Sequence, residues 1–138
     1  TKEESNKKIH ELSKSFGMEE YINNPVGKYS RGMKQKISIA RSIVHTPSVM
    51  LFDEPTTGLD VSASRIVQDF ILKCKEENKT ILFSSHSMKE VEKLCDRVVI
   101  INKGKLLENC TISELKLKYN NDDLEEVFLQ LIGGNVNE

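Results

Sequence analysis

Apolar residues recur at helical spacing at Ile9, Leu12 and Phe16 and stop at Gly17, which predicts a first helix of roughly three turns closed by a glycine. Asn23, Asn24, Pro25 and Gly27 then predict a loop. Met33, Ile37, Ala40 and Val44 are spaced by four, three and four, so they line one face of a second helix that Ser30 can cap and Pro47 follows. Val49–Phe52 is a continuous apolar run, the pattern of a strand buried on both faces in a parallel sheet covered by helices. A loop over residues 54–60 contains Pro55 and Gly58, and Ile66, Val67, Phe70 and Ile71 mark a third helix that Asn78 and Lys79 break. Thr80–Phe83 reads as a second buried strand, followed by Ser84, Ser85 and His86 and by a helix carrying Met88, Val91 and Leu94. Residues 98–101 form a third apolar run. Strands alternating with helices predict an α/β fold with a parallel sheet flanked by helices. Asn102, Lys103 and Gly104 predict a tight turn into residues 105–107, hence an antiparallel hairpin edging the sheet. Thr111 and Glu114 make a capping box for a short helix. Leu124, Val127, Phe128 and Leu131 mark a last helix, and the tail over residues 133–138 is expected to fray.

The length of 138 residues allows one domain, or one piece of a domain, and excludes two ordinary ones. No window approaches the ~18 uninterrupted apolar residues of a membrane helix, so the chain is expected to be soluble. Twenty basic residues against 21 acidic ones leave a net charge of -1, which argues against broad nucleic-acid coating, and no nucleic-acid partner is expected. The charge is uneven. Residues 28–41 hold Lys28, Arg31, Lys34, Lys36 and Arg41 without an acid, whereas from Glu108 onward acids outnumber Lys116 and Lys118. Cys74, Cys95 and Cys110 are odd in number and lack CxxC spacing, which predicts reduced thiols in a cytosolic protein. A secretory signal is not seen, and the opening Thr1-Lys2, without an initiator Met, leads us to expect part of a longer protein.

Three places carry candidate chemistry. The run Val49-Met50-Leu51-Phe52 ends in Asp53-Glu54 and then Pro55. Acids at the carboxyl end of a parallel strand face the crevice where α/β folds bind ligands, and adjacent residues point to opposite sides, so the two need not share a task. In nucleotide hydrolysis the first can hold Mg²⁺ and the second can orient or deprotonate water; a turn-forming or helix-capping acid pair is the alternative. Upstream, Tyr29-Ser30-Arg31-Gly32-Met33-Lys34-Gln35-Lys36 combines a serine cap, a glycine and bases at a helix start. That is an anion site by its free N–H groups and positive potential, or simply a capped, solvated basic helix. His86 directly follows the second strand, at the carboxyl edge expected for Asp53 and Glu54, where an imidazole can bond a phosphate oxygen or attacking water. Its plain alternative is a loop residue bonded to backbone, and His10 and His45 receive no role.

In combination, Ser30 to Lys36, one helix, the strand to Asp53-Glu54-Pro55, then Thr57-Gly58-Leu59-Asp60 and His86 follow the order found in ATP-binding cassette (ABC) ATPases, which the chain resembles. The first segment is similar to the family signature, the second to Walker B with its glutamate, the third to the D-loop, and His86 to the switch histidine. The resemblance implies a P-loop NTPase-like sheet truncated at its N-terminal side, with a C-terminal hairpin and helices. Residues 1–47 would be the end of the helical subdomain, 48–110 the catalytic core and 111–138 the C-terminal helices. It assigns Ser30 and Gly32 to the γ-phosphate of ATP on a partner subunit, Asp53 to Mg²⁺, Glu54 to the hydrolytic water, Asp60 to the dimer seam and His86 to the γ-phosphate. Two positions depart from the common signature: Arg31 stands for its first glycine and Met33 for its glutamine, a run similar to cassettes of bacterial exporters of sodium-efflux and drug-resistance type.

No stretch of these residues matches GxxxxGK[ST], the Walker A cradle for the phosphates. The adenine-stacking aromatic and Q-loop glutamine of the family would also lie upstream. The expectation is therefore the C-terminal portion of an ABC nucleotide-binding domain, an ATPase in its longer form and inactive alone. A second nucleotide-binding domain and membrane permease subunits would be its partners, at the cytoplasmic face of the membrane. A soluble ABC-type ATPase of translation or DNA repair is the alternative.

Overall fold

The computed structural model describes residues 1–133, which form two compact units, the first running Thr1–Ser84 and the second starting at Ser85. The expected fraying of residues 133–138 falls outside the described residues beyond Gly133.

The first unit begins with α1, Lys2–Ser15, opened by a Thr1–Glu4 capping box and closed through Phe16 and Gly17, the latter at φ +58. Phe16 turns inward, fully buried, with its ring centroid 5.2 Å from that of Phe70. The loop after it contains a single 3₁₀ turn, Val26–Lys28. Tyr29 then anchors the chain, its hydroxyl donating to the Tyr21 carbonyl at 2.7 Å. Helix α2, Arg31–Ile43, is capped by Ser30 as expected. Its apolar face is rotated from the expected one: Ile39, Ala40 and Ile43 are buried, whereas Met33 and Ile37 are half-buried and Val44 is exposed. Val44 lies past the last helical turn, and the i, i+1, i+4 set from Ile39 is the one that meets the core.

Strand β1, Val49–Phe52, pairs in parallel with β2, Thr80–Phe83, in a two-stranded sheet, with Phe52 opposite Phe83. Between them runs α3, Val61–Glu76, which packs on β2 and α2 and buries Ala63, Val67, Ile71 and Cys74. Burial pushes the Cys74 thiol up to about 11, with the nearby Glu77 carboxylate adding to the effect. Asn78, at φ +57, ends the helix and turns the chain back into β2. The expectation of strands buried on both faces is overturned. Met50 is buried, but Val49, Leu51 and Leu82 are 58%, 72% and 63% exposed, because helices of this unit cover one face of the sheet only.

The second unit holds α4, Met88–Leu94, a hairpin of β3, Arg97–Asn102, with β4, Lys105–Thr111, and helices α5, Ile112–Tyr119, and α6, Leu124–Gly133. The third apolar run was expected in the parallel sheet; instead β3 pairs only antiparallel, with β4, among the described residues. The reason is local. Lys103 and Gly104 take φ +47 and +75, the pair of left-handed residues whose twist suits a two-residue hairpin, so β3 meets its sequence neighbour first. A register shift at Ile100/Ile101 bulges the ladder. Ile100, Leu115, Leu124 and Val127 form the core of this unit. Glu108, buried in β4, accepts hydrogen bonds from Lys118 Nζ and Tyr119 Oη, both at 2.6 Å, which tie the hairpin to the end of α5.

Candidate functional site

Asp53 and Glu54 stand directly past the carboxyl end of β1, both exposed. The chain reverses there: Glu54 takes φ +42, in the left-handed region, and Pro55 is fully buried beneath it. Left-handed backbone costs a non-glycine residue about 1–2 kcal/mol, so neighbouring bonds must hold the turn. Within the turn the Thr57 amide donates to the Glu54 carbonyl at 3.1 Å, and neighbouring elements add side-chain bonds. Gln35 Nε2, on α2, donates to the Pro55 carbonyl at 3.3 Å. Ser84, past the end of β2, accepts from the Glu54 amide at 2.8 Å through Oγ, and the same hydroxyl donates to Asp53 Oδ1 at 2.6 Å. Sequence reasoning passes over Ser84. Its signal is the parallel register, which puts the residue after Phe83 opposite the residue after Phe52.

The signature-like segment forms the start of α2. Ser30 Oγ accepts from the Met33 amide at 3.2 Å, and the Ser30 amide points at the Met33 sulfur, 3.4 Å away. Met33 thus takes the reciprocal place in a capping box that Glu or Gln commonly fills, with the thioether as a weak acceptor. The first turn carries no acid. A Cβ built on Gly32 would meet Leu59 Cδ2 at 3.7 Å, and one on Gly58 would meet Arg31 Cζ at 2.6 Å. The signature-like and D-loop-like segments therefore lie against each other within the first unit. Asp60 closes that loop as the N-cap of α3, its Oδ1 accepting from the Ala63 amide at 2.8 Å.

His86 belongs to the second unit, exposed in the loop before α4. The residues on either side of it are fixed. Ser85 Oγ donates to Oε2 of the buried Glu90 at 2.7 Å and accepts from the Ser87 amide at 3.1 Å, and Ser87 caps α4 through the Glu90 amide. Glu90 is a second residue that sequence reasoning leaves unassigned; an acid four residues past His86, in the first turn of α4, is the available signal. The structure thus gathers Ser30, Gly32, Asp53, Glu54 and Asp60 in one unit and puts His86 in the other.

The ABC transporter family model matches residues 1–57. The ABC transporter ATP-binding protein NatA of Bacillus subtilis is 48% identical over 122 residues, 88% of this chain and 50% of NatA. The bacitracin transport ATP-binding protein BcrA of Bacillus licheniformis is 42% identical over 109 residues, 78% of this chain and 36% of BcrA. A solved structure described as the ATP-binding subunit of an ABC transporter superposes with a TM-score of 0.84 at 26% identity, covering 95% of this chain and 55% of that one. The fold expected from sequence, a P-loop NTPase-like α/β architecture, is the fold of that subunit. The chain spans half or less of the length of these curated relatives. By sequence and by fold it is a homologue of the ATP-binding proteins of ABC transporters.

Proposed function

We propose that the chain is the C-terminal portion of an ATP-hydrolysing ABC transporter subunit of exporter type. In this reading residues 1–47 close the helical subdomain, 48–110 belong to the catalytic core and 111–138 add the C-terminal helices. The observation that carries it is the juxtaposition in the first unit: two exposed acids at the end of β1, and a capped, acid-free start of α2 lying against the loop over residues 57–60. The names of NatA and BcrA, both transport proteins, favour this over a soluble ATPase of translation or DNA repair.

Among the described residues no cluster of three or more His, Cys, Asp or Glu could hold a metal by itself. Mg²⁺ is the cation suited to such a site, since it commonly takes one or two carboxylates together with phosphate oxygens and water. Asp53 is the residue that would hold it; bound there, the ion would neutralise charge on the phosphates of ATP. Glu54 accepts a proton from the attacking water and fixes its approach. His86 donates a hydrogen bond to a terminal phosphate oxygen. Ser30 and Gly32, with the first-turn amides of α2 and the bases Arg31 and Lys34, meet the γ-phosphate of a nucleotide held by a second nucleotide-binding domain. Asp60 lies at the seam with that domain. Permease subunits receive the motion, and the assembly works at the cytoplasmic face of the membrane.

The test is Glu54→Gln in the longer protein that carries this chain. The amide keeps the shape but cannot take the proton, so turnover should fall by at least about a hundredfold while nucleotide binding persists. Hydrolysis at the wild-type rate removes Glu54 from this role.

A further inference from the structure

We propose that Ser84 is a positioning residue for both acids at the end of β1: its hydroxyl, between Asp53 Oδ1 and the Glu54 amide, sets the direction in which the two carboxylates leave the strand. The inference rests on the ATPase reading of Asp53 and Glu54. A serine hydroxyl has one hydrogen and two lone pairs. At 2.6 Å from Asp53 Oδ1 the hydrogen goes to the carboxylate, which leaves the oxygen to accept the Glu54 N–H at 2.8 Å. The two bonds polarise each other in series, amide to hydroxyl to carboxylate.

The backbone of Ser84 is fixed as well. Its amide donates to the Phe52 carbonyl at 3.0 Å, one step beyond the Phe52–Phe83 pair, so Ser84 contacts three consecutive residues of the partner segment. The middle of that segment directs the Asp53 side chain. Its end is Glu54, held at φ +42, and the bonded amide, with the Gln35 bond to the Pro55 carbonyl and the Thr57 amide on the Glu54 carbonyl, keeps this turn from relaxing toward extended backbone. If the turn relaxed, the Glu54 side chain would swing to another face of the strand end. With one Oδ1 lone pair engaged by the hydroxyl, Asp53 would keep Oδ2 and the second Oδ1 lone pair for a cation. Ser84 is exposed and contributes little to packing, so its place here is explained by these bonds and not by a core.

The experiment compares wild type, Ser84→Ala and Ser84→Thr. Threonine keeps the hydroxyl and suits a strand end; alanine removes it. In the 138-residue chain, amide hydrogen exchange at Glu54 should quicken by about tenfold or more in Ser84→Ala and return to the wild-type rate in Ser84→Thr, the scale of losing one bond of about 1.4 kcal/mol. In the longer ATPase, Ser84→Ala should lower kcat by about tenfold to a hundredfold and raise the Mg²⁺ concentration for half-maximal rate, with KM for ATP within about twofold, and Ser84→Thr should restore both. Should Ser84→Ala fail to fold, Ser84→Cys keeps the size and lacks a strong donor, and carries the same comparison against Ser84→Thr. Unchanged kcat and Mg²⁺ dependence in the variant lacking the hydroxyl overturns the positioning role. So does failure of Ser84→Thr to rescue them. A wild-type protein without Mg²⁺-dependent hydrolysis overturns the ATPase reading itself, and is told apart because it precedes any comparison of variants.

Discussion

The guanidinium of Arg31 lies on Gly58: a Cβ at that glycine would come within 2.6 Å of Arg31 Cζ. Gly58 is also at φ +73, so two separate demands fall on one position. The contact is with the far end of a flexible side chain, which can swing aside at small cost. The backbone demand cannot be evaded, and for alanine it costs about 1–2 kcal/mol. Gly58→Ala should therefore destabilise the first unit by that amount, and adding Arg31→Ala should recover little of it. Denaturant unfolding of the single and double variants measures this. Full rescue by Arg31→Ala would show that the clash with the guanidinium, and not the backbone, is what alanine cannot tolerate.

Gly32 presents the opposite case. A Cβ there meets Leu59 at 3.7 Å, an ordinary van der Waals distance, and the fold of this unit does not require glycine. Inside a helix, alanine is favoured over glycine by up to about 1 kcal/mol, so Gly32→Ala should leave the chain as stable or slightly more so. If the residue faces a nucleotide on a second domain, Gly32→Asp should cripple ATP-driven dimerisation through bulk and charge while monomer nucleotide binding survives. Sedimentation with ATP and a titration of the monomer separate the two. Equal loss of monomer binding would contradict recognition in trans.

Local structure is legible where a side chain both signals and performs its task. Ser30 and Thr111 each accept the amide three residues on, as cap chemistry requires, and Lys103-Gly104 supplies the two left-handed residues of the hairpin, whereas the same cap at Asp60 is seen only in the structure. What an apolar run packs against is not legible. Val49–Phe52 and Arg97–Asn102 have the same character, yet the first is half bare and the second pairs with its own hairpin partner, because strand pairing depends on what else is near and a run records only its own hydrophobicity. In the candidate site, acids and histidine stand out by type and by order. Ser84 and Glu90 do not, since their partners, Asp53 and Ser85, are identified only by register and by burial. A hydroxyl in a Ser-Ser pair carries no mark of which one reaches across the sheet.

The Glu108 bonds in the second unit give a pH dependence with a definite sign. Hydrogen bonds from Lys118 and then Tyr119 hold the Glu108 carboxyl below its usual range, while the same contact raises Lys118 and Tyr119. A depressed carboxylate contributes stability that is present above its unfolded value, about 4.3, and is lost as pH falls through the folded one. The raised lysine and tyrosine contribute below their unfolded values and lose it as pH rises through their folded ones. Stability of this unit should accordingly be flat near neutrality and fall on both sides. Glu108→Gln, which cannot ionise, should flatten the acid limb of the melting temperature between about pH 5 and 3, and an acid limb as steep as that of the wild type would show that other carboxylates set it.

Leu51 and Leu82 are paired in register on the uncovered face of the two-stranded sheet, beside Val49, and all three are well over half exposed. An apolar face of this kind next to strand edges unpaired among the described residues is a surface that water disfavours and that another strand can extend. The 138-residue chain should therefore self-associate as its concentration rises. Leu51→Lys tests the cause, because a charge at the centre of this face disfavours a dry contact while leaving Met50, on the buried side, untouched. Light scattering over a concentration series should show the wild-type chain growing beyond a monomer and Leu51→Lys holding at one. If the wild-type chain stays monomeric throughout, the exposed leucines are tolerated singly and the face is not adhesive. If Leu51→Lys associates as strongly as wild type, the contact runs through the strand edges, and Leu82→Pro, which removes a ladder amide, becomes the variant that should break it.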